Sequence, residues 1–440
     1  MIFPEKWQIK TIDDIHRGFF DGPHATPTPS DDGPIFLGIK NITDSGHLDL
    51  SDIKHISESE YPKWTKRVTP KFGDIVFTYE ATLNRYAIIP RGFRGCLGRR
   101  IALIRPNKNV IDTKYLFYYF FGNEWRRIVS ENTISGATVD RIPLIKFPSF
   151  PILVPPLPTQ KKIAAVLSAY DDLIENNARR IALLERMSEE LYKEWFVRMR
   201  FPGHEKTRFV KGIPEGWLSD NLKLGDITVV VDCEHKTAPI QDEGIPSIRT
   251  PNVGKGYLQL DGVRRVSEET YHKWTRRAKP EYPDLILARE APVGNVALLP
   301  KGLKVCLGQR TVLIRPDTNL ISPEFLNFLL NSMNAYLVLL STGATVGHLN
   351  VDDIRKLKLP FLPPLSLQNQ FSTILEKTNS LIYNVTNKNQ LLRQTRDRLL
   401  TRLISGKLSV EDRDIAFPRS MLEDEIVQAP LAQKTLEPIS

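Results

Sequence analysis

The sequence predicts an α+β protein: two homologous α/β domains separated by two long helices that pair as an antiparallel coiled coil, with pseudo-two-fold symmetry. Three observations predict it. The chain repeats itself at an interval near 210 residues. Each copy mixes short apolar runs, bounded by Gly and Pro, with helical stretches. After each copy comes a segment that keeps a 3.5-residue apolar period for more than four heptads.

The repeat is the firmest of the three. Residues 61–106 align without gaps on residues 271–316, and 20 of the 46 positions are identical. Tyr61, Lys63, Trp64, Thr65 and Arg67 recur as Tyr271, Lys273, Trp274, Thr275 and Arg277. Cys96-Leu97-Gly98 recurs as Cys306-Leu307-Gly308, and Ile104-Arg105-Pro106 as Ile314-Arg315-Pro316. Further out, Pro4-Glu5-Lys6-Trp7 echoes Pro214-Glu215-Gly216-Trp217, and Gly136-Ala137-Thr138-Val139 echoes Gly343-Ala344-Thr345-Val346. Pro155-Pro156-Leu157 with Gln160 returns as Pro363-Pro364-Leu365 with Gln368. Such a period is far above that of a stacked solenoid, so whole domains are duplicated. Runs such as Ile75-Val76-Phe77 and Ile101-Ala102-Leu103-Ile104 read as strands, and about 114–130 and 323–341 as helices.

The first heptad segment places Ile163, Leu167, Tyr170, Ile174, Asn177, Ile181, Leu184, Ser188, Leu191 and Trp195 on one seam. The second places Phe371, Leu375, Thr378, Ile382, Val385, Asn389, Leu392, Arg396, Leu399 and Leu403 there. An antiparallel register with Ile163 facing Leu403 sets Asn177 opposite Asn389, Ile181 opposite Val385 and Trp195 opposite Phe371. Arg396 then faces Tyr170, with its head reaching outward. A parallel alignment leaves both amides without a partner, at about 1–3 kcal/mol each. Asn177 and Asn389 are therefore the expected register pair.

The boundaries that follow are a first domain over 1–157, a first helix over 158–200, a linker over 201–216, a second domain over 217–365, a second helix over 366–405 and a tail over 406–440. The tail is acidic and contains proline, and partial disorder is expected of it. Residues 411–440 hold seven acidic and three basic residues, a net −4, which leaves +13 on residues 1–410 against an overall +9. A basic body suits a polyanionic partner. Three scattered cysteines, Cys96, Cys233 and Cys306, form neither a disulfide framework nor a CxxC pair, and no apolar run approaches a membrane span. The start lacks an apolar signal core, so a cytoplasmic protein is expected.

At ~1.5 Å per residue each long helix would run roughly 50 Å. An antiparallel pair would hold the copies more than one DNA turn (~34–36 Å) apart, as a two-fold repressor does on an operator. The arrangement resembles the specificity subunit of Type I restriction–modification enzymes, and so do local strings: Pro155-Pro156-Leu157-Pro158-Thr159-Gln160, Lys193-Glu194-Trp195-Phe196-Val197-Arg198 continuing to Phe201-Pro202-Gly203-His204, and Leu403-Ile404-Ser405-Gly406-Lys407-Leu408. The similarity runs to about residue 410. It implies two target-recognition domains, each reading one half of an asymmetric split site in double-stranded DNA, and no catalysis in the chain itself. It also implies two methyltransferase subunits as partners, with ATP-driven restriction subunits able to join. S-adenosylmethionine, ATP and Mg²⁺ would be those subunits' cofactors, with none in this chain.

Polar positions that differ between the copies are the specificity candidates, and shared basic ones suit phosphate. The first set contains Asn84 and Arg85 against Asn295, Arg99 against Gln309, and Lys40 and Asn41 against Arg249 and Asn252. The second contains Arg67 with Arg277, Arg100 with Arg310, and the neighbours Lys66 and Arg276. Glu80 and Glu290 recur and read as partners of an arginine. No Walker A, GxGxxG, HExxH or GxSxG string occurs. Two rival readings are a metal-dependent nuclease fused to a recognition domain, for which Asp284 and Glu290 offer a fragment but Pro292 stands where a lysine is expected, and a scaffold without a DNA role.

Overall fold

The computed structural model describes residues 4–136, 139–219, 221–260, 262–341 and 347–426. The chain divides into two units, Met1–Asn177 with Lys388–Ser440, and Ala178–Asn387. Each long helix is therefore shared: the first, Leu157–Tyr192, runs on into a π turn at Lys193–Val197, and the second is Leu365–Ile404.

In the first unit an antiparallel sheet has the order His16–Asp21, Ile101–Pro106, Ile75–Thr78, Tyr86–Ile88. A three-stranded sheet sets Ser30–Leu37 between Lys54–His55 and Gly95–Leu97, with the last pair parallel. The central strands are apolar except at Thr78 and Arg105, and only Arg105 is less than fully buried, because both faces are covered. One face meets an aromatic core in which Phe77, Phe147, Tyr86, Phe120 and Trp125 pack, stacked, tilted or edge-to-face, at centroid distances of 4.7–6.0 Å. The expected helix over about 114–130 is two helices, Thr113–Tyr119 and Asn123–Asn132. They break at Gly122, where an added Cβ would lie 3.1 Å from the Tyr119 carbonyl oxygen and 3.3 Å from Ile404.

The second unit repeats these two sheets strand for strand. Its sheet order is Thr228–Asp232, Thr311–Pro316, Leu285–Ala288, Val296–Leu298, beside Arg265–Val266, Ile245–Ile248 and Cys306–Leu307. Registers coincide: Ile75 pairs with Ile104 as Leu285 does with Ile314, and Asp21 with Ala102 as Asp232 does with Val312. Here too the helical stretch is broken, into Pro323–Ser332 and Asn334–Leu340.

The strings shared by the copies acquire reasons. Gly98 ends a parallel strand, and a Cβ there would stand 2.0 Å from the Leu37 carbonyl oxygen; at Gly308 it would meet Arg249 Cγ at 2.7 Å. Gln160 is fully buried, donates to the Val110 and Pro155 carbonyls at 3.0 and 2.7 Å, and accepts from the Asp112 N–H at 2.7 Å. Gln368 does the same with the Pro363 carbonyl and the Ser322 N–H. In each unit one amide thus ties the Pro-Pro corner to the start of a core helix.

The helix segments run antiparallel within each unit. In the first, Asn177 donates to Asn389 at 2.8 Å, and Asn389 donates to the Ile174 carbonyl at 3.2 Å. In the second, the Trp195 and Phe371 rings are 5.9 Å apart, as the same register requires. Every seam position is buried or half-buried. Arg396 departs from expectation: instead of reaching outward it donates to Asp171 at 2.6 Å, because the half-buried guanidinium needs a countercharge.

Each long helix begins one residue before the start read from sequence and ends within the expected span. The tail continues into the first unit. Trp7 donates to Glu411 at 3.1 Å, and Lys162 to the Glu411 carbonyl at 2.6 Å. Val410 and Met421 are buried in the same core as Trp7, with Ile415 and Phe417 packed against it. A helix, Arg419–Ile426, follows; the expected disorder of residues 427–440 lies outside the described residues. Among the described residues no helix is long and apolar enough to cross a membrane.

Candidate nucleic-acid interface

In each unit the central strands end at a rim where the candidates are concentrated. The end of the sheet opposite that rim is built identically twice. Arg105 grips Asp74 through Nε and Nη2 at 2.8 and 2.7 Å, and Arg315 grips Asp284 at 2.7 Å through both. The same Nη2 reaches the Thr69 carbonyl in the first unit and the Lys279 carbonyl in the second. Bidentate, charge-assisted pairs of this kind fix geometry as well as energy.

At the other end of the strands, Arg100 pairs with Glu80 at 3.0 Å and Arg310 with Glu290 at 2.9 Å. Both arginines have left-handed backbones, φ 71° and 67°, and both carbonyls accept the N–H of residue 79 or 289. A non-glycine residue held at positive φ in both copies stores strain at the same place twice. The expectation that Glu80 and Glu290 partner an arginine matches this geometry.

Around the first pair stand Arg67, bound to Asp21, and Tyr79. Tyr79 is buried, and burial first, then the charges of Asp21 and Glu80, push its hydroxyl pKa up to about 12. In the second unit Arg277 donates to the Cys233 carbonyl at 2.9 Å, with Glu234 at 3.8 Å. Arg289 takes the place of Tyr79 and binds Asp232, the counterpart of Asp21, at 2.8 Å.

Other candidates divide by what holds them. Lys66 and Arg99 are exposed with no partner among the described residues, while Arg276 is exposed and donates to the Lys273 carbonyl. Lys40 is exposed and paired with Asp52. Asn84 has φ 60° and accepts from Tyr86 at 3.4 Å; Arg85 donates to the Ile42 carbonyl at 3.3 Å. Gln309 is tied to the His235 carbonyl at 2.7 Å and accepts from Thr237. Asn295 is half-buried and donates to the Val253 carbonyl at 3.0 Å. Arg249 is half-buried, and burial, then repulsion from Arg264, lowers its pKa.

Asn41 and Asn252 must be corrected. Both are buried, and each accepts from a backbone N–H three residues earlier, Gly38 or Arg249. Each also donates to carbonyls across its loop, Asp49 and Asp52 for Asn41 and Gln259 for Asn252. Their amides are spent on the loops. Of the echoing strings at 136–139 and 343–346, Ala137, Thr138 and the whole of the second lie outside the described residues.

Sequence reasoning passed over Asp21 and Asp232, Tyr79 and Arg289, Arg141 and His348, and the Asp74–Arg105 and Asp284–Arg315 pairs. The last two were visible as identities in the repeat. Tyr79 and Arg289 met the criterion of polar divergence but sat at the end of an apolar run.

Comparison with known proteins agrees with this architecture. The chain is 24% identical over 423 residues to a putative Type I restriction enzyme MjaX specificity subunit of Methanocaldococcus jannaschii, covering 93% of this chain and 95% of that protein. It is 26% identical over 433 residues to the Type I restriction enzyme MjaIX specificity subunit of the same organism, again covering 93% and 95%. The fold matches the crystal structure of a Type-I restriction-modification system S subunit from M. genitalium, with a TM-score of 0.53 at 15% identity over 90% of this chain and 96% of that one. The family model of the Type I restriction modification DNA specificity domain fits twice, at residues 4–186 and 215–394. This chain therefore belongs to that family, as a non-catalytic specificity subunit of a Type I restriction–modification system.

Proposed function

We propose that the chain reads an asymmetric split site in double-stranded DNA, each domain contacting one half, and docks two methyltransferase subunits with room for restriction subunits. S-adenosylmethionine, ATP and Mg²⁺ belong to those partners, and the assembly works in the cytoplasm. The observation that carries the reading is the doubled sheet: one frame, built twice, with a rim at its far end whose polar residues have diverged. Arg67, Arg100, Lys66 and their counterparts Arg277, Arg310 and Arg276 hold phosphates. Asn84, Arg85 and Arg99 read bases in the first half, and Asn295, Gln309 and Arg249 in the second, with Lys40 at the edge of the first.

Titrating duplex binding against salt tests it. Several phosphate contacts give a steep inverse dependence on salt. A flat response would favour a scaffold without a DNA role, and cleavage by the chain alone with Mg²⁺ would favour the nuclease. Against the nuclease stands the state of Asp284: fully buried, with both carboxylate oxygens committed to Arg315.

A further inference from the structure

In the second domain one arginine holds a cluster that the first domain builds differently. The Arg289 side chain is only 7% exposed. Its Nε donates to the Leu349 carbonyl at 2.8 Å, Nη1 to Asp232 at 2.8 Å and Nη2 to His348 Nε2 at 3.0 Å. A guanidinium has only donors, so His348 Nε2 accepts and the ring proton sits on Nδ1. That Nδ1–H points at Glu290, 3.2 Å away, and Glu290 also holds Arg310. The chain of bonds ends at the surface: Glu290 is 21%, His348 35% and Arg310 60% exposed.

The fold does not require this arrangement. The first domain makes the same strand, the same Glu–Arg pair and the same positive φ with Tyr79 in the place of Arg289. The backbone link is also the same: Ile142 N–H to the Tyr79 carbonyl, Leu349 N–H to the Arg289 carbonyl. This equivalence puts Arg141 opposite His348. Burying a cation is costly unless every donor is met, and a well-packed neutral residue is the cheaper filling. A buried arginine with a partner at each of its three side-chain nitrogens, where tyrosine suffices, points to a demand other than stability.

We infer that Arg289 is a positioning residue for recognition by the second domain: with His348 it holds Glu290 and Arg310 as they meet DNA, whereas in the first domain, with Tyr79 and Arg141 at those places, Arg100 is 29% exposed against 60% for Arg310. The inference rests on the DNA-reading proposal above. It assigns the specificity difference between the halves to residues behind the contact surface as well as on it.

Selection of duplexes from a randomised pool by the full chain tests it. Wild type enriches two short elements. Arg289→Gln and His348→Ala weaken preference in one element at least tenfold and leave the other unchanged. His348→Gln, whose amide can accept from Arg289 and donate to Glu290, restores the preference; Arg289→Lys, with its single point charge, does not. Unchanged preference in every variant overturns the inference, as does joint loss of both elements, which would make the cluster a folding element. No enrichment by wild type would instead defeat the DNA-reading proposal, and with it this one.

Discussion

The two domains place the same backbone under different side chains. The first closes its rim with Tyr79, whose hydroxyl lies among Asp21, Glu80, Arg67 and Arg100. The second closes it with Arg289, bonded to Asp232, His348 and the Leu349 carbonyl. Between them the framing pairs Asp74–Arg105 and Asp284–Arg315 hardly differ in geometry. A duplicated fold thus separates two kinds of residue, those whose identity the frame demands and those free to vary at its edge.

The domains also differ in how their first tryptophan is covered. Trp217 packs against Phe201, 5.3 Å away, which comes from the segment after the first long helix. Trp7 is met by Glu411, from the segment after the second. Ending the chain at residue 408 should therefore destabilise the first domain alone, by about 3–5 kcal/mol for the loss of Val410, Ile415, Phe417 and Met421. Calorimetry should show one transition moved and the other in place; two equal shifts would break the comparison.

Next in size is the frame. Asp284→Ala strands Arg315 and the Glu281 N–H that donates to the same carboxylate at 3.0 Å. A loss of about 2–3 kcal/mol is expected, less than for a fully buried pair because Arg315 keeps access to water. Asp74→Ala should cost the first domain a similar amount in denaturant titration. Smaller again is the seam: Asn389→Ala removes two bonds and should cost about 1–2 kcal/mol. Replacing Asn177 and Asn389 together by Leu should restore stability while loosening register, seen as mixed products when cysteines at 174 and 392 are oxidised.

The smallest contrast is a helix cap. Asp112 accepts from the Tyr115 N–H at 2.9 Å, where the second domain uses Ser322. Burial raises the Asp112 pKa, opposed by its backbone bonds and by Lys161 and Lys114. A raised carboxyl pKa means the folded state prefers the protonated form, so stability from this group is lost as pH rises through the folded value. Asp112→Ser should therefore stabilise the first domain at pH 7 by under about 1 kcal/mol, with the gain shrinking as pH falls through the carboxylate range. A gain that grows toward low pH would contradict this.

Much of the fold was legible because it is periodic. The heptads gave the seam and the Asn177–Asn389 pair, and the 210-residue repeat gave two like domains. The rim was legible only in part. Glu80 and Glu290 were marked by recurrence, but Asn41 and Asn252 look like base readers in sequence and are buried loop pins. Position along the chain does not say which way an amide points. Arg289 was hidden because a cation at the end of an apolar strand makes sense only once Asp232, His348 and Leu349, distant in sequence, surround it.

The central claim, that two diverged domains read separate halves of one site, is met most directly by mapping DNA methylation genome-wide in cells with and without this chain. The account predicts modified sites made of two different short sequences with a gap of fixed length, all vanishing when the chain is removed. A single uninterrupted motif, or a methylation pattern indifferent to the chain, would contradict it.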